Sequence, residues 1–585
     1  MIPPVQAAWC SIRSQKRRCR FLSPSVKSIG CGRDGGSIEG KGGHAERALK
    51  KKSESQGHLV QVTPSLSFVG VHVFEAWIQQ QGSLSEVITL LQQAIHAYST
   101  QHPEEDFPLL HHKEETLLLR FQAIFYAPLF GIGKLTEFDV KEHPLVTLQG
   151  RSYQSSTLSQ FLGQLERIDA AQALTPALVP ALVPAQAGGI GYVDGHMIAF
   201  WTRISMHKGK ITMLGRIMAG SQAVIAHNES GQALFIEYYP PDIRLPRVIV
   251  DYCQKVASVT GITLFVIDRE VNSVKMACDF EHQGLGLLSM LDANEYEGLS
   301  SFDARWIGKL EDGSEVYEGQ WQSPRPGDPR CFVIVVERDR VLVFWGTSLV
   351  KETLDPLEWP GVYRERNETQ EKSFKRMIAH GALNVNYGIK KILGPDRHQM
   401  RAREEVNQAL VAAHEKVEKK EIAVKESQEK VAESKEKGHT KRLHQRARRL
   451  GVKEEELKKA LEKQQTLGEQ ERALGEPRTR ADRDFRKQRI MTWRTLLLEN
   501  VLMAFVMALW GKLEEKVSLE SLVAMLFERS GSRIERGSEI LYLVNTAGLS
   551  LAYQRMLAQV VEGVNAMEVR YREKVIRLRL REAPA

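Results

Sequence analysis

GGIGYVDGHMIAFW (188–201) decides how this chain is read. It is an apolar, strand-forming run that carries one aspartate, Asp194. A second such run, TGITLFVIDREVNS (260–273), ends its apolar stretch on Asp268. Much further on, the charged helical segment YRERNETQEKSFKRMI (363–378) carries Glu371. A carboxylate at the end of a buried strand is costly unless a cation or a donor meets it. Three acids from separate elements that converge on one point make a site for hard divalent cations, and such ions mostly act on phosphates.

Each acid has a plainer explanation when taken singly. Asp194 before Gly195 can open a turn, Asp268 beside Arg269 can be a strand-end ion pair, and Glu371 with Lys375 is an ordinary i,i+4 helix pair. Their order and context together favour a shared site. Two adjacent strands can bring Asp194 and Asp268 side by side. Phe374 and Ile378 continue near the stripe of Arg364 and Glu371, so Glu371 is expected where the helix meets its core.

Working outward, the 585-residue chain is long enough for several domains. Hydrophobic residues make up 42%, enough for real cores. The net charge of +8 fits a nucleic-acid partner without requiring one. Six scattered cysteines form no CxxC pair, which excludes zinc-ribbon spacing and a disulfide framework and points to a reducing cytoplasm. No signal peptide is read at the start. The longest apolar run, VLMAFVMALWG (501–511), is too short to span a membrane and reads as a buried helix.

The expected organisation has six parts. Residues 1–58 read as a disordered basic extension. Residues 66–170 read as helical, with LSEVITLLQQAIHAYS and EETLLLRFQAIFYAPLF at helical spacing. Within them, residues 134–168 show helix-turn-helix grammar: a turn at Gly150 and a second helix from Ser155 or Ser156, entered by Arg151, Ser152 and Gln154. The Pro/Ala linker 171–189 marks a boundary. Residues 190–396 run strand, strand, strand, helix, strand, helix, strand, which predicts a mixed α/β sheet with a β insertion at about 300–350. Residues 397–489 read as a charged long helix or short antiparallel pair with a basic patch at 439–453, and 490–585 as a helical module that ends in an edge strand.

The residues around the three acids resemble those of the DDE (Asp-Asp-Glu) transposases of bacterial insertion sequences. The likeness lies in YVDGHMIAFW with Asp194, LFVIDREVNS with Asp268, Arg269 and Ser273, and RNETQEKSFKRMIAHGALN with Gln370, Glu371 and Phe374; it reaches upstream into LQGRSYQSSTLSQFLGQL and covers roughly residues 130–400. The resemblance implies a ribonuclease H-like sheet with a β insertion before the third acid. It implies Asp194, Asp268 and Glu371 as catalytic metal ligands for two Mg2+ or Mn2+ ions, and cleavage and strand transfer at the ends of a mobile element. One departure stands out. A related branch spaces Tyr, Arg, Glu and Lys regularly around the third acid. Here Tyr363 and Arg366 fit, but Gln370 stands at the acid's place, Glu371 one position later, and Glu368 is a rival. Glu371 is taken because it precedes Lys-Ser-Phe-Lys.

The partners implied are double-stranded DNA, both terminal inverted repeats and target, and further copies of the chain, as a homodimer or higher oligomer in the cytoplasm on the nucleoid. Arg151, Gln154, Arg364, Arg366 and Lys375 are the candidate DNA contacts. The alternatives are a ribonuclease H-like nuclease without strand transfer and an inactive, transposase-derived DNA-binding protein.

Overall fold

The computed structural model describes residues 61–581, apart from 83, 140–143, 179–188, 212–213, 323–326, 339, 380–382, 386–389, 439 and 514–517. The basic extension 1–58 and most of the Pro/Ala linker lie outside the described residues. Gln61–Ala585 forms one compact unit.

A strand that periodicity did not suggest, β1 (Gln61–Leu66), leads into α1 (Val69–Gln81). The helical pattern then yields α2 (Ser85–Gln101), α3 (Glu114–Tyr126) and α4 (Ser155–Arg167). A short helix, Pro144–Gln149, precedes α4, and Gly150 turns the chain between them at φ 72°. The side of α4 carrying Leu158, Phe161, Leu162 and Leu165 is buried. Ala177 and Leu178 of the proline-rich segment are buried too, so its first residues belong to a core rather than to a free linker.

The central sheet follows. β2 (Ile190–Ala199), β3 (Lys208–Ile211), β4 (Arg216–His227) and β5 (Ala233–Tyr239) come first, then α5 (Ile249–Thr260), β6 (Leu264–Ile267), α6 (Val274–His282) and β7 (Gly286–Met290). Its order is β5-β4-β2-β6-β7, antiparallel across the first three strands and parallel across β2, β6 and β7. β3 pairs the start of β4. All four residues of β6 are buried, because helices cover both faces of a parallel sheet. Val193, Phe265 and Ile267 pack with Tyr252 and Phe280 of α5 and α6. Tyr192, Leu264 and Val266 pack on the other side with Trp359 and Tyr363. The expected insertion is an antiparallel meander: β8 (Phe302–Lys309), β9 (Glu315–Trp321), β10 (Cys331–Val336) and β11 (Val341–Gly346). It joins the same sheet through β11 on β7. Helix α7 (Trp359–Ala379) then crosses the sheet.

β12 (Lys391–Pro395) opens a long helical hairpin of α8 (Arg397–Glu436) and α9 (Thr440–Ala473), closed at its base by β13 (Thr479–Arg483) pairing β12. The pair is long, 40 and 34 residues, where a short one or a single helix was expected. Arg397 ties its base to the sheet domain: Nη2 donates to Asp242 at 2.9 Å and to Asp482 at 2.8 Å, and Asp482 also bonds His207 Nδ1 at 2.9 Å.

The C-terminal region departs most from expectation. α10 (Arg486–Trp510) contains all but the last residue of the apolar run 501–511 that reads as a buried helix, and its Ile490, Trp493, Leu497, Val501 and Phe505 are buried in one apolar cluster with α1 to α4 and β5. It is long and apolar enough to cross a membrane, yet 83% of that apolar window is buried inside the fold. Beyond it the chain is α/β rather than helical: β14 (Gly531–Arg536), β15 (Glu539–Asn545), α11 (Leu551–Ala566), β16 (Arg570–Tyr571) and β17 (Lys574–Arg581). These strands take up β1 in the order β1-β14-β15-β17-β16. β17 therefore lies inside the sheet and is not its edge. The helix-period reading failed here because the strands are short and charged on one face.

Phe505 meets Phe74 at 5.5 Å and Trp77 at 5.2 Å, both edge to face, joining segments far apart in sequence. Phe505→Ala should destabilise the protein by about 3–5 kcal/mol, read as a lower midpoint in chemical denaturation. An unchanged midpoint would refute the shared core.

Candidate functional site

β2 and β6 pair in parallel with Val193 opposite Ile267. The next residue on each is an aspartate, so Asp194 and Asp268 stand side by side, on the sheet face that α7 covers. Asp194 Oδ1 accepts the Gly195 N–H at 2.7 Å. Burial pushes the Asp194 carboxyl up to about 6; the Arg366 charge and the Gly195 N–H pull against this, and the Asp268 charge adds to it. Asp268 Oδ1 accepts from Tyr363 Oη at 3.2 Å and from Arg366 Nη2 at 3.1 Å. Burial likewise raises Glu270, with the charges of Asp194 and Asp268 adding. Negative charge is thus concentrated here, with Asp194 half-buried, the Asp268 side chain 42% exposed and Glu270 at the surface. Carboxylate oxygens in such a place are the donor type that Mg2+ and Mn2+ take, so the Asp194–Asp268 pair fits a divalent cation.

Helix α7 presents Tyr363, Arg366, Gln370, Ser373 and Met377 inward, at alternating spacings of three and four. Contacts at both ends fix its phase. Tyr363 and Arg366 meet Asp268, Ser373 Oγ bonds His227 Nε2 at 2.9 Å, and Phe374 stacks on His196 at 5.4 Å. Tyr192 Oη donates to Glu365 at 3.2 Å.

The third acid does not join the pair. Glu371 is 69% exposed and holds Lys375 Nζ at 2.9 Å, which keeps its carboxyl below the usual range. Its rival Glu368 is equally exposed and holds Lys372 at 3.0 Å. At about 100° per residue, Gln370 lies about 40° from Arg366 around the helix, while Glu371 lies about 140° away. Ile378, expected to pack inward, is exposed, whereas Phe374 is partly buried against the core. Among the described residues, no group of three or more His, Cys, Asp or Glu is placed to hold an ion. Of the three acids expected to converge, the structure sets Asp194 beside Asp268 and leaves Glu371 on the outer side of α7. On the same face of the helix as Arg366 is Gln370, 2% exposed, whose Oε1 and Nε2 have no hydrogen-bond partner among the described residues.

The candidate DNA contacts fall into three places. Arg366 is 7% exposed and engaged with Asp268, so it belongs to the site itself. Arg364 pairs with Glu337 at 2.9 Å and Lys375 with Glu371, both on the solvent side of α7. Arg151 and Gln154 are exposed at the entry to α4. There Asp139 reaches across to cap the helix, accepting from Ser155 N at 2.8 Å and Ser155 Oγ at 2.6 Å, which leaves the Gln154 side chain free of capping duty.

No family model matches this chain, and no curated protein does. Among solved structures, the cryo-EM structure of the piggyBac transposase synaptic complex with hairpin DNA is similar over 54% of this chain and 69% of that one, at 9% identity and a TM-score of 0.30. A likeness this slight carries no argument.

The raised proton affinity of Asp194 has a stability consequence. A carboxyl whose folded-state pKa exceeds its unfolded value costs stability once pH rises above the unfolded pKa, and the full cost is reached above about 6. In buffer free of divalent ions, Asp194→Asn should raise Tm at pH 8 and leave it nearly unchanged at pH 4. Equal effects at both values would contradict the buried-charge account.

Proposed function

We propose that this chain is a transposase-type protein of ribonuclease H-like fold that acts on DNA phosphodiesters at the ends of a mobile element. The observation that carries the reading is the pairing of β2 with β6, which sets Asp194 beside Asp268 under α7. The strand order β5-β4-β2-β6-β7, with a β meander inserted before the site helix, supports the fold assignment.

In this reading Asp194 and Asp268 hold Mg2+ or Mn2+, as two ions when DNA is present. A metal held there would supply the Lewis acidity to activate a water or 3′-hydroxyl and to stabilise the leaving oxygen. Tyr363 and Arg366 orient the Asp268 carboxylate. Arg366 also brings a cation to the place where a DNA phosphate must enter. Arg151 and Gln154 meet terminal-repeat DNA from the start of α4, while Arg364 and Lys375 contact the backbone along the outer side of α7. Lys441, Arg442, Arg448 and Arg449, exposed near the turn of the helical hairpin, add a contact with no sequence preference. Joining two ends requires at least two copies of the chain, working at the nucleoid.

That Glu371 stands apart from the aspartates favours one second reading, a transposase-derived protein that binds element ends without cutting them. A single assay separates the two. Full-length protein and labelled terminal-repeat DNA are incubated with Mg2+ or Mn2+, and cleavage and binding are both followed. Cleavage should need the metal and disappear in Asp194→Asn and Asp268→Asn, with end binding retained. Binding without cleavage by the wild-type chain selects the second reading, and cleavage by Asp268→Asn at the wild-type rate overturns the site.

A further inference from the structure

We infer that Gln370 is the third ligand of the divalent site, an amide oxygen where a carboxylate would bind more tightly, and that it sets this chain's affinity for the ion. The inference rests on the reading of Asp194 and Asp268 as metal ligands.

Three observations carry it. The first is position. Arg366, four residues before Gln370, lies on Asp268, and Phe374, four residues after, lies on His196. Residues i, i+4 and i+8 share one helix face, and Asp194 shares one strand face with His196 and Tyr192. Gln370 is therefore held over the strand between these two anchors, on the side where Asp194 stands. The second is burial: the side chain is 2% exposed. The third is chemistry. Neither end of the amide has a hydrogen-bond partner among the described residues, although an unmet buried polar group costs about 1–3 kcal/mol. An amide carbonyl is an accepted oxygen ligand for hard cations, and ligation would satisfy Oε1. Tyr363 Oη and Arg366 Nη2 on this face are engaged with Asp268 and Ser373 with His227, while Arg366 Nε is a cationic donor that offers no ligand to an ion.

A neutral third ligand has a defined electrostatic effect. Two aspartates supply a charge of −2, part of which Arg366 offsets. A carboxylate at 370 would supply a third negative charge and a second oxygen. The site as built should be a weak one that fills at high ion concentration.

The test measures Mn2+ binding to the full-length chain without DNA, by the electron paramagnetic resonance signal of the free ion. Wild type, Gln370→Glu, Gln370→Leu and Asp268→Asn are compared. Gln370→Glu should bind about tenfold more tightly than wild type and Gln370→Leu about tenfold more weakly. A gain in affinity cannot arise from misfolding, so Gln370→Glu keeps the result interpretable even if Gln370→Leu folds poorly. Equal affinity in wild type, Gln370→Glu and Gln370→Leu, all lost in Asp268→Asn, overturns the role of Gln370 and leaves the aspartate pair standing. Binding that survives Asp268→Asn overturns the pair. Silence from every variant, Gln370→Glu included, overturns both.

Discussion

The parallel register of β2 on β6 is the constraint on which the site depends. Val193 opposite Ile267 makes the following residues neighbours and puts both carboxylates on one face. A slip of one residue would turn one aspartate to the opposite face, among Tyr252 and Phe280. Apolar packing on both sides of β6 resists that slip, so the hydrophobic core itself enforces the juxtaposition of two like charges. The strain of doing so appears at Asp194, whose carboxyl the surroundings hold closer to neutrality than water would.

Helix α7 has its rotation fixed in the same way. Trp359 and Tyr363 seat its first turns on the sheet, Ser373 and Phe374 anchor its middle, and Arg376 pairs with Glu499 of α10 near its end. A helix pinned at several points cannot turn Glu371 inward without releasing them. Which residue meets the aspartates is thus a matter of phase, and phase gives the place to Gln370.

Much of this was legible in the sequence. Asp194 and Asp268 were readable because burial on both faces leaves continuous apolar runs, in which a lone carboxylate stands out. The helix between Leu245 and Gly261, the one after Ser273 and the β insertion followed from the same patterning. The third position was less legible. Three of its candidates, Glu368, Gln370 and Glu371, differ in sequence by at most three residues, and only the packing of Tyr363 and Arg366 tells inside from outside. The C-terminal sheet was obscured for another reason. The ending YREKVIRLRLREAPA does read as a strand, through β17, but β14 is too short and charged to show a period, and β1 gives no strand pattern until its partner, over 460 residues later in the chain, is known.

The position of α10 ties the order of synthesis to the order of folding. Phe121 of α3 meets Trp493 of α10 at 6.1 Å, so the part of the core that α10 contributes to the first helices is made more than 360 residues later. At about 5–20 residues per second, a ribosome needs roughly 20–75 s to cover that stretch. Throughout that interval Phe74, Phe121 and Phe125 remain without the cover of α10 on the nascent chain. A chain that stops before residue 486 lacks the apolar partner of α1 to α4 and exposes the surface that α10 covers.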